Sequence, residues 1–391
     1  MISSIKKLKQ INGKKVLLRL DLNVQFKDNK ILDDYRLESV RETIEFLLNK
    51  KAKIIIISHL GKADGKRDEK YSLKPVALKL RELLKRSIKF SLEHEPLKAS
   101  AEVAKLKNGE ILMLENLRFN PGELQNDTRF AKDLASLADL YVNDAFSVSH
   151  RSQASVAAIK KYLPSYAGLL MEKELEALAK ILKPKKPFIA IMGGAKISTK
   201  APLIEKFLTR AEKILIGGAL ATTFIKEMGF EVGKSLYDKD SAHIIKKLFK
   251  IKGAAEKISL PVDLVVLTRK GKAKVVRPDE VKKSESILDI GPETIGVFAE
   301  YIKKSATLIW NGPMGKFEDK RFQQGSLSLA RLVATRSKGK AYGLVGGGET
   351  VAVLRLTKME EYVDFISTAG GAMLSYLGGE ELPGLKRIVK S

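Results

Sequence analysis

The sequence predicts an α/β protein with two domains of doubly wound parallel sheet, joined by a helix. Short runs rich in β-branched residues alternate with longer helical patterns along the whole chain. Most of these runs are apolar on both faces, as are strands of a parallel sheet that is covered by helices. Such alternation is typical of doubly wound architectures. The chain has 391 residues, which at about 150 residues per domain indicates two or three domains.

Ten strands are predicted in chain order. They are Val16–Leu20, Lys53–Ile57, Ile111–Leu114, Leu140–Asn143, Phe188–Met192, Lys213–Ile216, Leu264–Val266, Thr307–Trp310, Ala341–Val345 and Phe365–Ser367. The helical patterns between them include Leu37–Asn49, Lys74–Lys85, Asp127–Ala138 and Gln324–Thr335.

A domain break is predicted near the middle of the chain. Met171–Leu182 is composed of strong helix formers, and a segment with two prolines, Lys183–Pro187, stops that helix before the next strand. The prediction is therefore an N-terminal domain over 1–170 and a C-terminal domain over 171–381, which begins with the connecting helix 171–182.

Composition excludes several classes of protein. Hydrophobic residues make up 44% of the chain, as in globular proteins, and cysteine is absent. Disulfide frameworks, thiolate zinc sites and cysteine nucleophiles are thereby excluded. No apolar run approaches the roughly 18 residues of a membrane span, and the N-terminal residues do not resemble a secretory signal. We therefore expect a cytoplasmic protein that does not span a membrane.

The formal net charge is +25, which suits an anionic partner. The excess is spread over both halves, without a basic tail or an arginine-rich block. A diffuse positive field attracts small phosphorylated metabolites as well as nucleic acids. Charge alone does not choose between them.

The residues that follow the strands differ between the two halves. The first half carries Arg, His, Asp and Asn side chains, in Arg19–Asn23, Ser58–Lys62, Glu115–Phe119 and Asn143–Arg151. The second half carries glycine-rich turns, in Met192–Lys196, Gly217–Ala219, Asn311–Gly315, Gly346–Thr350 and Thr368–Gly371. Ligands of open α/β sheets bind outside the carboxyl ends of the strands.

Each half suits a different ligand. Guanidinium groups pair with phosphate or carboxylate, whereas glycine-rich turns that open into helices let backbone N–H groups approach nucleotide phosphates. The Walker A pattern is absent, because neither Gly193–Ser198 nor Gly312–Phe317 has its spacing and its Lys-Ser/Thr pair. A nucleotide domain that faces a domain for an acidic metabolite describes a small-molecule kinase.

These segments resemble the motifs of the phosphoglycerate kinase family over essentially the whole chain. The ordered set is Arg19–Asn23, Asp34–Arg36, Ser58–Gly61, Leu114–Phe119, Asn143–Arg151, Gly193–Lys200, Leu260–Asp263, Gly291–Thr294, Trp310–Glu318, Gly346–Thr350 and Leu382–Gly384. Each motif alone is weak, but the ordered set is specific.

The resemblance implies two Rossmann-like domains with parallel sheets, a hinge helix, and a C-terminal segment 382–391 that packs back on the N-terminal domain. It also implies reversible transfer of a phosphoryl group between ATP and the carboxylate of 3-phosphoglycerate in glycolysis, in line and after hinge closure. The substrates would be 3-phosphoglycerate or 1,3-bisphosphoglycerate with ATP or ADP, and Mg²⁺ would accompany the nucleotide. A monomer is expected, without a nucleic-acid partner.

The resemblance also implies roles for individual residues. Phosphoglycerate would be held by Asp21, Asn23, Arg36, His59, Leu60, Gly61, Lys62, Arg118 and Arg151. The nucleotide would be held by Lys200, Gly217, Gly218, Gly291, Asn311, Glu318, Gly347, Gly348, Glu349 and Thr350, with Glu349 as the metal ligand. The catalytic groups acting on the transferred phosphoryl would be Arg36, Lys196 and the backbone amides of Gly370 and Gly371.

Six positions depart from the family pattern. Glu349 replaces Asp, Lys62 replaces Arg, Gln153 replaces His, and Ser147, Ala219 and Ala369 replace Gly. None of these changes removes a charge that the transfer needs, so an active enzyme is favoured over a catalytically silent relative. Two other hypotheses remain open at this point: another small-molecule acid kinase on the same fold, and a basic nucleic-acid-binding protein. Against the latter, aromatic residues are only 7% and scattered.

Overall fold

The structure is a computed structural model and describes residues 2–27 and 30–389. The chain forms two compact units, Met1–Glu176 with Glu381–Ser391, and Ala177–Glu380. Helix α7 (Leu169–Leu182) crosses the boundary between them. Lys390 and Ser391, the end of the segment expected to pack back on the first unit, lie outside the described residues.

Unit 1 contains a six-stranded parallel sheet. Its strands and a small hairpin are β1 (Lys15–Arg19), β2 (Phe26–Lys27), β3 (Lys30–Ile31), β4 (Lys53–Ile57), β5 (Lys89–Phe90), β6 (Ile111–Met113), β7 (Leu140–Asn143) and β8 (Ser165–Ala167). Its helices are α1 (Tyr35–Ser39), α2 (Arg41–Asn49), α3 (Lys74–Leu84), α4 (Pro96–Ala104), α5 (Pro121–Leu124) and α6 (Thr128–Ala135). The sheet order is β5-β6-β4-β1-β7-β8, and β2 pairs only with β3.

Alternate residues of the central strands pack on opposite faces of this sheet. In β1, Val16 and Leu18 join one apolar cluster with α2 and α3, whereas Leu17 joins the other with α4 and α6. β4, β5 and β6 lie on one side of β1 in the sheet, whereas the later strands β7 and β8 lie on its other side. The strand order therefore switches between β1 and β7. That switch point is where open α/β sheets form their ligand crevice.

Unit 2 contains a second six-stranded parallel sheet and a small antiparallel one. The strands are β9 (Phe188–Met192), β10 (Lys213–Ile216), β11 (Ile258–Ser259), β12 (Leu264–Leu267), β13 (Ala273–Val276), β14 (Ser286–Ile290), β15 (Thr307–Asn311), β16 (Tyr342–Gly346) and β17 (Phe365–Ser367). The helices are α8 (Ala201–Leu208), α9 (Gly218–Glu227), α10 (Ala242–Phe249), α11 (Ala254–Lys257), α12 (Pro292–Lys304), α13 (Gln324–Gly339), α14 (Gly348–Thr357) and α15 (Gly371–Gly378).

The parallel sheet of unit 2 has the order β11-β10-β9-β15-β16-β17. When these six strands are numbered 1 to 6 in chain order, they have the 3-2-1-4-5-6 arrangement of dinucleotide-binding folds. The switch point of that arrangement lies between strands 1 and 4. Here those strands are β9 and β15, which pair in register from Phe188 to Met192. In the described ranges, no helix is both long and apolar enough to cross a bilayer.

Two expectations from the sequence are wrong. β12 lies in the antiparallel sheet with β13 and β14, because a tight turn at Gly271 returns the chain beside it. The predicted helix Leu37–Asn49 is two helices that meet at Val40.

Candidate active site

The switch point of unit 1 brings together polar groups from the loops after β1 and β7. Asp21 forms an ion pair with Arg36 and accepts a hydrogen bond from the Ser147 hydroxyl. Its other oxygen accepts the Asn23 backbone N–H at 3.1 Å. Ser147, one of the departures noted in the sequence analysis, gives Asp21 an additional donor through its hydroxyl. Three residues named in the sequence analysis, Asn23, Arg36 and Ser147, therefore contact the Asp21 carboxylate.

Neighbouring loops attach to this group through backbone contacts. The Asn23 side chain accepts the Gly61 N–H at 2.9 Å, and Arg118 Nη1 donates to the Gly61 carbonyl at 2.6 Å. Arg118 Nε is buried and has no hydrogen-bond partner among the described residues. Leu60 is buried, and its carbonyl accepts a bond from Asn116, whereas Lys62 is exposed.

His59 lies among four guanidinium groups. Burial, followed by the charges of Arg19, Arg118, Arg151 and Arg36, holds its pKa well below the ordinary value of 6.5. Its Nδ1 lies 3.2 Å from Arg19 Nη2, and a guanidinium can only donate, so Nδ1 accepts. The ring is therefore neutral, and its proton is on Nε2, from which it can donate to an anionic ligand.

The charges around this cluster are only partly neutralised. Burial and the charges of Arg151 and Arg19 lower the pKa of Arg118 to about 10. Arg151 is exposed, with Nε 3.5 Å from His150 Nε2. Cations gathered without an equal number of carboxylates form a site that an anionic ligand would stabilise.

Arg19, the last residue of β1, is a further member of the cluster that the sequence analysis does not assign to the site. It is fully buried, and its Nε donates to Ser155 Oγ at 3.0 Å. Ser155 donates in turn to both oxygens of the buried Glu123, at 2.7 and 2.8 Å. The network fixes Arg19 against His59. The only signal in the sequence was the position of Arg19, two residues before Asp21.

In unit 2, a cavity of about 310 Å³ opens at the switch point between β9 and β15. Its walls are Gly194, Ala195, Gly218, Ala219, Ala221, Leu236, Pro261, Leu264, Ile287, Leu288, Asp289, Ile290, Pro313, Met314, Gly315, Lys316, Glu318 and Glu349. The cavity is largely apolar, with two predicted carboxylates, Glu318 and Glu349, at its border. A flat heterocycle with a polar attachment fits such a site.

Helix N-termini surround the carboxyl edge of the same sheet. α9 follows Gly217, α14 follows Gly347, and α15 follows Gly370. Each N-terminus presents unpaired backbone N–H groups and the positive end of the helix dipole. Lys196 is exposed in the loop after β9. These groups suit a phosphate chain.

Two alanines replace family glycines in these turns without strain. The positive φ angles belong to Gly218 (+64°) and Gly370 (+53°), whereas neither Ala219 nor Ala369 has a positive φ. A Cβ at Gly218 would lie 2.8 Å from the Gly194 nitrogen, so that position requires glycine. The loss of glycine at Ala219 and Ala369 is therefore compatible with the turns.

Several predicted nucleotide residues hold loops rather than line the cavity. Asn311 Nδ2 donates to the Gly346 carbonyl at 2.8 Å, and Thr350 Oγ1 accepts the Gly312 N–H at 2.7 Å. Lys200 donates to the Gly193 carbonyl, and burial lowers its pKa to about 8. The Gly291 N–H donates to the Asp263 carbonyl at 2.9 Å. Gly348 begins α14.

We expect Asp289, on the cavity wall, to titrate near neutral pH. Burial raises its pKa from 3.8 to about 7, although it accepts the Gly325 N–H at 2.8 Å. The pKa of Asp289 is higher in the folded than in the unfolded state, so its protonated form contributes to the free energy of unfolding. This contribution is full below pH 3.8 and is lost as pH rises through about 7. The Gly325 amide chemical shift should titrate near pH 7 and should stop doing so in Asp289→Asn. The exposed control Asp279→Asn should keep the titration; persistence of the midpoint in Asp289→Asn would reject the assignment.

Comparisons with known proteins cover nearly the whole chain. The phosphoglycerate kinase family model matches residues 5–380. The chain is 43% identical over 389 residues to the phosphoglycerate kinase of Finegoldia magna, covering 97% of this chain and 98% of that protein. It is 40% identical over 384 residues to that of Pelotomaculum thermopropionicum, with 97% of each covered.

Solved structures agree. The phosphoglycerate kinase of Coxiella burnetii superposes with a TM-score of 0.85 at 37% identity, covering 99% of both chains. That of Pyrococcus horikoshii superposes with a TM-score of 0.83 at 31% identity, covering 99% of this chain and 98% of that one. The resemblance and the fold of two α/β domains with parallel sheets, both predicted from the sequence, are confirmed. The chain belongs to the phosphoglycerate kinase family.

Proposed function

We propose that unit 1 binds 3-phosphoglycerate and unit 2 binds the nucleotide, for reversible phosphoryl transfer between ATP and the substrate carboxylate. Family membership makes the chain a phosphotransferase of glycolysis that acts on a carboxyl group. The observation that supports the domain assignment is the arginine cluster of unit 1, where Arg118 Nε is buried without a partner. A phosphorylated acid would supply the missing negative charge and acceptors.

In unit 1, we assign the substrate phosphate and carboxylate to the guanidinium groups and to His59. Arg36, Arg118 and Arg151 would provide the charge, and neutral His59 would donate from Nε2. Asp21 and Asn23 would accept from the substrate hydroxyl. Leu60, Gly61 and Lys62 would line the edge of the site. Lys62 keeps the charge of the family's arginine but not its fork of donors.

In unit 2, we assign the base and ribose to the 310 Å³ cavity, with Glu318 toward the ribose. The phosphates would lie along the helix N-termini that follow Gly217, Gly347 and Gly370. Lys200, Gly291, Asn311 and Thr350 would support this site by holding its loops.

The cavity border also fits a magnesium ion. Magnesium is commonly held by one or two carboxylates together with substrate phosphates, rather than by a cage of protein ligands. No group of three or more acidic or His side chains that could hold a metal occurs in the described residues, whereas the exposed Glu349 carboxylate faces the cavity. We therefore assign Glu349 as the protein ligand. When bound, the ion would neutralise charge on the nucleotide phosphates.

The residues assigned to the transfer stabilise charge rather than move protons. Negative charge spreads over three oxygens of the transferred group, and Arg36, Lys196 and the amides of Gly370 and Gly371 would neutralise it. The substrate carboxylate is already ionised, so no general base is needed. We propose that closure about helix α7 brings the substrates into line and excludes water. One copy of each unit suffices, so we propose a monomer, located in the cytoplasm where a glycolytic enzyme would act.

A coupled assay with 3-phosphoglycerate, ATP and Mg²⁺ tests the proposal, and turnover that requires all three components is expected. Faster turnover of another phosphorylated acid would assign the chain to a different acid kinase activity. Absence of turnover, combined with strongly salt-dependent binding of random duplex DNA, would instead favour the nucleic-acid hypothesis.

Changes at Glu349 test the metal assignment. Glu349→Ala should raise the Mg²⁺ concentration for half-maximal activity by about tenfold, because a charged ligand is lost. Glu349→Asp should restore much of the magnesium affinity. Activity should therefore be titrated with Mg²⁺ for both variants, with the exposed Glu300→Ala as control. An unchanged magnesium requirement in Glu349→Ala would place the metal elsewhere.

A further inference from the structure

A cationic cavity lies in unit 1, and none of the residues of the arginine cluster lines it. It has a volume of about 210 Å³ and is lined by Asn126, Ala157, Ala158, Lys160, Lys161, Pro383, Lys386 and Arg387. Four of these eight residues are cationic and none is acidic. A water molecule occupies about 30 Å³ in the liquid, so the cavity has room for an anion with one or two phosphate-sized groups.

Lys160 gives this cavity an incompletely neutralised charge. Lys160 is only 4% exposed, and its ammonium group donates to the Pro383 carbonyl. An ammonium has three donors, and burying it is costly unless an opposite charge is near. Burial and the charges of Arg387 and Lys386 lower the pKa of Lys160 to about 7. An anion here would remove the repulsion.

The cavity walls come from Asn126 and from two longer segments, residues 157–161 and 383–387, which are linked by a hydrogen bond. Arg387 Nη1 donates to the Lys160 carbonyl at 2.8 Å. The backbone of Arg387 is left-handed, with φ of +66°. Beside it, the Gly384 N–H donates to the Ser149 carbonyl at 2.8 Å. The nearest acid paired with a lining residue is Glu381, 3.1 Å from Lys386 Nζ and 84% exposed. The cations therefore face a preformed space.

We propose that this cavity, between residues 157–161 and 383–387, binds a compact oxyanion of the phosphate class that carries two or more negative charges. The anion accepts hydrogen bonds from the lysine and arginine groups of both segments. Because the two segments are far apart in the chain, binding links the C-terminal segment more firmly to the body of unit 1. This inference is independent of the proposed transfer reaction.

Calorimetric titration with inorganic pyrophosphate tests the site. Saturating 3-phosphoglycerate and ADP, a pair that cannot react, is present to fill the sites assigned above. The full chain should bind one equivalent of pyrophosphate. Affinity should fall at least about tenfold, or 1.4 kcal/mol, in the double variant Lys161→Glu/Lys386→Glu. The control Lys105→Glu/Lys132→Glu makes the same change of net charge at two exposed positions of unit 1, one just after α4 and one in α6, and should bind as the unmodified chain does.

A second variant tests the buried ammonium. Lys160→Met keeps an apolar stem and removes the charge, so its melting temperature without pyrophosphate should be no lower than that of the unmodified chain. Pyrophosphate should raise the melting temperature of the unmodified chain but not that of Lys160→Met. The proposal is overturned if pyrophosphate does not bind the blocked protein, if both double variants lose affinity equally, or if Lys160→Met responds to pyrophosphate as fully as the unmodified chain.

Discussion

Replacing Arg36 with alanine is expected to lower kcat by about 10²–10³-fold, the usual effect of removing one positioned charge from a transition state. Arg36 already lies in the unit 1 cluster, paired with Asp21, so the side chain is held in place before substrate binds. The measurement is steady-state kinetics with varied 3-phosphoglycerate and saturating Mg·ATP. A fall in kcat that exceeds any rise in KM identifies action on the transferred group.

Two further variants show whether the effect comes from the charge of Arg36 and from its position. Arg36→Lys retains the charge without the planar fork and should recover part of the lost rate. Arg41→Ala removes an exposed arginine of α2, which pairs with Glu45 on the helix surface, and should leave kcat unchanged. If Arg36→Ala raises KM and leaves kcat intact, Arg36 binds the substrate but takes no part in the transfer.

Replacing Glu123 with alanine is expected to destabilise unit 1 by about 3–5 kcal/mol, because one partner of a buried charged network is lost. Ser155 would lose both acceptors, and the fully buried Arg19 would lose its opposing charge. The chain has a single tryptophan, Trp310, which is buried in unit 2. Its fluorescence therefore reports on unit 2, whereas circular dichroism reports on both units.

In urea, the circular dichroism transition of Glu123→Ala should begin at lower denaturant than the fluorescence transition. Glu123→Gln keeps an acceptor for Ser155 and should be less destabilised. Glu82→Ala, at a 66% exposed position of α3, should behave as the unmodified chain does. A Glu123→Ala transition that coincides with that of the unmodified chain would mean that the network contributes little to stability.

The sheets were predictable because their strands are short apolar runs with both faces buried. Lys53–Ile57, Leu140–Asn143 and Lys213–Ile216 have the predicted bounds. β12 has a similar composition, but its partners were set by a hairpin turn, and local sequence does not report which strands pair. The short strands β5, β8 and β11 have two or three residues each, too few to show a period.

The candidate site was predictable where the side chains follow strands directly. Asp21, Asn23 and His59 follow β1 and β4 directly, and these neighbouring parallel strands end at one edge of their sheet. The roles of Ser155 and Glu123 were not predictable from the sequence. The hydrogen bond from Arg19 to Ser155 joins residues separated by 136 positions, and its importance depends on burial. The cationic cavity at Lys160 is not predictable for the same reason, since three of its eight lining residues come from the end of the chain.

The chain leaves unit 1 after Glu176 and returns to it at Glu381. Near its N-terminus, Ile2 bridges Val389 and the Ser3 N–H donates to the Ile388 carbonyl at 2.8 Å. Domains generally fold as units, in the order in which the ribosome delivers them. Here the first unit to be synthesised is the last that can be completed, because its own closing contacts are translated only after all of unit 2.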